Sequence, residues 1–352
     1  MCKINLYNQN NTFLNKIKIY NELHKTQFSV FCLGVLENRL YCGMKQLFTT
    51  VCILASVLVP KPRETTILFW NLENFFDWRN DSTSVSDAEF SSRGSRRWTK
   101  RRFDTKCNSI TKGILWAGAP DIVAFAEVEN AFVLRRLIQS TALRKLDYEI
   151  VHYDSPDPRG IDVALIYRRD ALTILESKPC HIYEDITLLQ TRDILLAIFA
   201  QGRDTLAVLV NHHPSKYGGA EASEARRAAA VSTLRNLVDS LKRADYSRII
   251  AIGDFNDTPA NPVYGTLPME NLSMPLYRRG LGTIRYEGEW ELIDQCFVSG
   301  PMAAISTLEI LYIPFLMVPD KAHGGQKPLR TYSGPRYLGG VSDHCPILLH
   351  IN

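Results

Sequence analysis

The chain has 352 residues, 45% of them hydrophobic and 22% charged, a balance that argues against a disordered chain or one embedded whole in a membrane. Its formal net charge of +4 tolerates a polyanionic ligand without demanding one. The 8 cysteines show neither CxxC nor the Cys/His spacing of a zinc site, so we expect buried free thiols rather than structural zinc.

Residues 1–43 are rich in Asn and Lys and carry no strand rhythm, which predicts a non-core extension. Residues 44–62 open on Met44-Lys45, continue as an uncharged run over 47–59 and close on Pro60-Lys61-Pro62. That is the shape of a secretory signal, too short to span a bilayer. We therefore expect export from a start near Met44, a catalytic domain over 63–352, and no stable membrane span.

From Thr66 the strand rhythm begins. An apolar strand over 67–70 ends at Asn71, and Glu73 lies on the same side if the chain stays extended. An acidic, Ser-rich loop over 77–92 turns into a basic run over 93–106, where Arg101 and Arg102 stand among Trp98 and Phe103. Arginines interleaved with aromatics fit a nucleic-acid contact. Phe103, Cys107, Ile110 and Ile114 recur at helical spacing, predicting a helix over 103–117.

A second strand, 122–126, ends in Glu127 and leads to a helix over 131–140. Strands over 148–152 and 161–167 flank the turn SPDPRG, which carries Arg159, and Asp162 opens the second of them. A hairpin over 194–200 and 205–211 runs into His212-His213; neighbours on a strand face opposite ways, so only one of the two can face a given site. A helix over 220–243 leads into RIIAIGDFNDTP, a buried strand whose Gly253 marks a close backbone approach. Beyond it Asp254 and Asn256 point to one side and Phe255 to the other. A hairpin over 282–299, turning at Glu287-Gly288-Glu289, is predicted to hold Asp294 in its second arm. The chain closes through Arg330-Thr331-Tyr332, Ser342-Asp343-His344 and a last strand over 346–351. With no internal repeat, one domain of two packed sheets and outer helices is the economical reading.

Asn71, Glu73, Glu127, His212, Asp254, Asn256, Asp343 and His344 thus stand at strand ends, with Asp294 in a late strand. Ligands of layered folds collect at such ends. The segments FWNLENFFD, DIVAFAEVEN, RGIDVALIYR, VLVNHHPSK, IGDFND, LIDQCFVS and GGVSDHCPI, in that order, resemble the endonuclease/exonuclease/phosphatase superfamily over 66–351. The resemblance implies an α/β four-layer sandwich, two mostly antiparallel sheets flanked by helices, and metal-dependent cleavage of a phosphate ester.

Carried over residue by residue, it implies that Glu127 holds the divalent metal with Asn71, Glu73 and Asp343 close by. Asp254 and Asn256 would orient and activate the attacking water, with Asn71 beside them. His344 would face the scissile phosphate, Asp294 would hold its ring, and His212 would bind a phosphate oxygen. Hard oxygen donors of this kind suit Mg²⁺ or Mn²⁺. Asp162, Arg159, Arg330, Arg101 and Arg102 are further candidates for contacting substrate. The leading expectation is a monomeric phosphodiesterase acting on nucleic acid. A phosphomonoesterase or a lipid or inositol phosphodiesterase with the same centre stays open, as does a non-catalytic binding protein.

Overall fold

The computed structural model describes residues 64–81, 84–216 and 220–352. The extension over 1–43 and the export signal over 44–62 lie outside the described residues. Twelve strands form two sheets. We number them in chain order: β1 Thr65–Phe75, β2 Ile122–Val128, β3 Tyr148–His152, β4 Asp162–Arg168, β5 Thr173–Cys180 and β6 Ile194–Gln201. The rest are β7 Asp204–His212, β8 Ile249–Asp254, β9 Glu270–Asn271, β10 Asp294–Val298, β11 Ser306–Ile310 and β12 Ile347–Ile351. The long helices are α1 Lys100–Trp116, α2 Ala131–Gln139 and α3 Ala220–Arg243. Sheet one runs β11-β12-β1-β2-β4-β3 and sheet two β9-β10-β8-β7-β6-β5.

Alternation along the strands builds the layers. On β1, Ile67 and Phe69 face sheet two, whereas Leu68 and Trp70 face α1 and α2. On β8, Ile250 and Ile252 join the core between the sheets, whereas Ile249 and Ala251 meet Leu234 and Val238 of α3. The result is helix, sheet, sheet, helix: the four-layer α/β sandwich the sequence implies.

Each sheet is antiparallel except for one parallel pair, β1 with β2 and β7 with β8. A parallel pair needs a crossover. Helix α1 supplies one and α3 the other. The paired strands therefore end on the same side, and those ends carry the polar side chains.

Two expectations are corrected. The hairpin read over 282–299 is shorter: Ile284–Tyr286 pairs with Glu289–Glu291 in a small sheet of its own, and Asp294 opens β10, which pairs with β8. The loop read over 77–92 contains a short helix, Val85–Glu89, capped by the Ser84 side chain. The four cysteines among the described residues, Cys107, Cys180, Cys296 and Cys345, are unpaired.

Candidate active site

The alternation that packs the core also delivers the site. Residues facing the other sheet at the ends of their strands continue the inward series: Asn71 after Phe69, His212 after Val210, Asp254 after Ile252, and Asp294 ahead of Cys296. All four are buried. His213 takes the opposite face, where its ring lies 4.6 Å from that of Phe255. Register thus places His212, and not His213, beside Asp254.

Asp254 is the centre. Its Oδ2 accepts from Asn71 Nδ2 at 3.0 Å, which joins the two sheets, and its Oδ1 accepts the Asn256 backbone N–H at 2.8 Å. His212 Nε2 lies 3.6 Å and His344 Nε2 3.9 Å from the same Oδ2. Asp294 Oδ2 holds His344 Nδ1 at 2.8 Å. The Asn256 side chain donates to the His213 carbonyl at 2.9 Å, which fixes the amide.

The carboxylates of the second half come from broken strand geometry. Opposite β1, Asn71 pairs with Ala126 and Phe75 with Val128, so three residues of β1 stand against Glu127 alone. Glu127 is also skipped in the pairing of β2 with β4. It sits in a bulge at φ 61°, and Glu73 and Asn74 take φ 49° and 57°. Chain that stays regularly extended past Asn71 would carry Glu73 along its side, but here the strand bulges before pairing resumes at Phe75. Bulges beside sites re-aim side chains, and non-glycine residues at positive φ persist where the surroundings demand them. Glu127 Oε2 accepts the Asn74 N–H at 2.8 Å, and Glu73 Oε2 accepts that of Thr331 at 2.8 Å.

Cations meet these carboxylates. Arg330 Nε donates to Glu73 Oε1 at 3.0 Å, and its other arm lies 2.9 Å from Asp343 Oδ2. Arg159 lies 3.4 Å from Glu127 Oε1 and donates to Asn74 Oδ1 at 3.0 Å. Lys106, 1% exposed, donates to the Glu73 carbonyl at 2.7 Å and to Thr331 Oγ1 at 2.9 Å.

Burial, reinforced by Asp294, pushes the Asp254 carboxyl up to about 7. Burial and then Asp343 push Glu73 up to about 7 as well, against Lys106 and Arg330. For His344 burial disfavours the charge, yet Asp294 and then Asp254 outweigh it and hold the imidazolium well above its ordinary range. His212 moves the other way, driven well down by burial and the nearby Arg192 and Arg159. The site therefore pairs a cationic His344 with a neutral His212.

Asp162 is buried, but its two oxygens serve His152 Nε2 at 3.0 Å and the Ser155 N–H at 2.8 Å. Arg102 turns back on its own chain, donating to the Arg96 and Arg97 carbonyls at 2.8 and 3.0 Å and lying 4.2 Å from the Tyr337 ring. Arg101 is exposed on α1. None of these three contacts the Asp254 or Glu127 groups among the interactions of the described residues.

Sequence reasoning gave no role to Asn74 or to Ser342, whose Oγ donates to the Asn71 carbonyl at 2.6 Å and accepts the His344 N–H at 2.9 Å, and it read Lys106 as part of a basic run open to a polyanion, whereas the side chain is buried. Lys106 carried a signal: it falls inside the buried stripe Phe103, Cys107, Ile110 of α1.

The profile of the Endonuclease/Exonuclease/phosphatase family matches residues 66–352, and the chain belongs to that family. A sequence search of curated proteins gives no match. Among solved structures, the human Nocturnin catalytic domain with bound sulfate is 17% identical with a TM-score of 0.54, covering 83% of this chain and 94% of that one. TDP2 of D. rerio complexed with a single-strand DNA product is 14% identical with a TM-score of 0.51, covering 82% and 99%. The mannosyl-6-phosphatase of Bacteroides thetaiotaomicron VPI-5482 is 15% identical with a TM-score of 0.53, covering 82% and 100%. At these identities the likeness is one of fold. The family is one of phosphate-ester hydrolases, and its dependence on a divalent metal is compatible with the acidic groups present here; donor atoms of Asp254, Asp294 and His344 lie within 4.8 Å of one another.

Proposed function

We propose that this hydrolase cleaves phosphodiester bonds of nucleic acid by in-line attack of a water that Asp254 deprotonates. The observation that supports it is the convergence on Asp254 Oδ2 of Asn71 at 3.0 Å, His212 at 3.6 Å and His344 at 3.9 Å. A carboxyl raised to about 7 accepts a proton near neutral pH, where a general base works best. Asn71 and the Asn256 N–H hold that carboxylate in place. The imidazolium of His344, kept charged by Asp294, faces the negative charge that builds on the phosphoryl group. His212 adds a neutral N–H donor.

The donor set Glu127, Glu73 and Asp343, with the Asn71 amide beside it, consists of hard oxygens and fits Mg²⁺ or Mn²⁺. Such an ion supplies charge stabilisation at the phosphoryl and leaving oxygens. Nucleic acid as substrate draws support from the single-strand DNA product held by D. rerio TDP2. A phosphomonoester is the second reading. It is favoured by two half-exposed guanidinium groups, Arg159 and Arg330, at the carboxylates, and by the fold likeness to a mannosyl-6-phosphatase.

The test is hydrolysis of plasmid, RNA, diester and monoester nitrophenyl phosphates, sphingomyelin and inositol phosphates, with Mg²⁺ and with chelator. We expect metal-dependent nicking of plasmid, reduced about 10²- to 10⁴-fold by Asp254→Asn and by His344→Ala. Full turnover in both variants would sink the mechanism. Cleavage of monoesters alone moves the substrate to the second reading. We read residues 44–62 as an export signal, from the basic start and short uncharged run of the sequence, so the proposal includes export of the hydrolase; a mature protein whose N-terminal sequence begins at Met1 would overturn that part.

A further inference from the structure

Two guanidinium groups of the chain stand against three carboxylates, and a third cation, Lys106, is held beside them by a backbone carbonyl and a hydroxyl. Arg330 lies 3.0 Å from Glu73 and 2.9 Å from Asp343, Arg159 lies 3.4 Å from Glu127, and the Lys106 ammonium is bonded to the Glu73 carbonyl at 2.7 Å. They differ in freedom. Lys106 is sealed at 1% exposure, whereas the Arg159 and Arg330 side chains are 43% and 48% exposed. Two of the three thus have an open path to solvent, provided an incoming ion takes over Glu127 and Glu73, whose side chains are themselves only 12% and 9% exposed. The third cannot leave.

We propose that Arg159 and Arg330 are exchange cations: they occupy the carboxylates until a divalent ion takes them, and their freed forks then grip a phosphate of the substrate. This rests on the hydrolytic reading of the site. One divalent ion carries the charge of the two guanidinium groups it replaces, so with Lys106 fixed the local balance is unchanged. Guanidinium forks match phosphate oxygens in geometry, which makes phosphate their natural second partner. Metal and phosphate then bind cooperatively, each favouring the other.

A static role for the arginines makes the opposite prediction. If they only brace the carboxylates, removing them loosens the donor set and weakens metal binding. If they compete for it, removing them strengthens metal binding.

Calorimetry on the purified protein decides the sign. Mn²⁺ is titrated alone into wild type, Arg159→Met and Arg330→Met, then inorganic phosphate is titrated with and without Mn²⁺. Exchange requires each variant to bind Mn²⁺ roughly two- to fivefold tighter than wild type. It also requires wild type to bind phosphate about tenfold tighter when Mn²⁺ is present, with most of that gain lost in the variants. Arg330→Lys keeps the charge and not the fork; it should bind Mn²⁺ as wild type does and still lose phosphate affinity. Equal or weaker Mn²⁺ binding in the Met variants overturns the exchange. The two arginines sit on separate loops, so if one variant fails to fold the other still decides. Hydrolysis of the substrate panel is read separately, so failure there with the calorimetric signs intact strikes the hydrolytic reading and not the exchange.

Discussion

At Gly253 there is no room for a methyl group. A Cβ built there would stand 2.1 Å from the Asn211 carbonyl oxygen of β7. The sequence signals a close approach at this position, and the partner is the backbone of the neighbouring parallel strand. Gly253→Ala must push β7 and β8 apart where His212 and Asp254 sit side by side. We expect a loss of about 1–3 kcal/mol or more in urea unfolding, and a larger fall in turnover than that loss alone would cause. An unchanged unfolding midpoint would show that the strands can give. Most residues around Asp254 were legible because period-two alternation dictates which side chains face inward. The same rule, applied from Val208 and Val210, separates His212 from His213. Asn74 and Lys106 were not legible in that way. One acts through a backbone bend that no alternation predicts, and the other hid in a run of charges although its helical position is apolar on both sides.

Elements with a strong period were read closely, and those that depend on distant partners were not. Strand β5 was missed because its sequence, TILESKPC, alternates poorly and is half-exposed along its length. The second arm of the 282–299 hairpin failed for a related reason: the turn chemistry was right, but Asp294–Val298 takes its partner from β8, some forty residues earlier. The edge of sheet one offers a test of how three elements are tied. On β12, His350 Nδ1 lies 2.6 Å from Glu64 Oε1, and its Nε2 lies 3.1 Å from Glu309 Oε1 on β11. Burial disfavours the imidazolium, yet Glu309 and Glu64 prevail and raise its pKa. A raised folded value means that the stabilisation is complete below the unfolded pKa of about 6.5 and disappears as pH rises through the folded one. His350→Gln should therefore melt earlier than wild type at about pH 5.5 and together with it at about pH 9. A difference that persists at the higher pH would assign the contact to packing instead.

Across the whole molecule, three apolar clusters account for the layers, and among the described residues they run from Ile67 to Ile351. The chain over 62–352 should accordingly fold by itself, with a single cooperative melt and the full signal of buried tryptophan. A broad, probe-dependent melt would show that the preceding residues contribute to the core. The two-sheet plan was legible because strand runs and helical runs alternate, but the pairing order was not, since strand neighbours lie far apart in sequence. That separation has a kinetic meaning. Both halves of the site hang on parallel pairs that close only after a helical crossover, and the Asn71–Asp254 bond that joins them spans 183 residues. Contacts so distant form late, after local turns and helices. A refolding chain should thus regain its far-ultraviolet signal first and its metal binding last, which makes the active centre a clock for the completed fold.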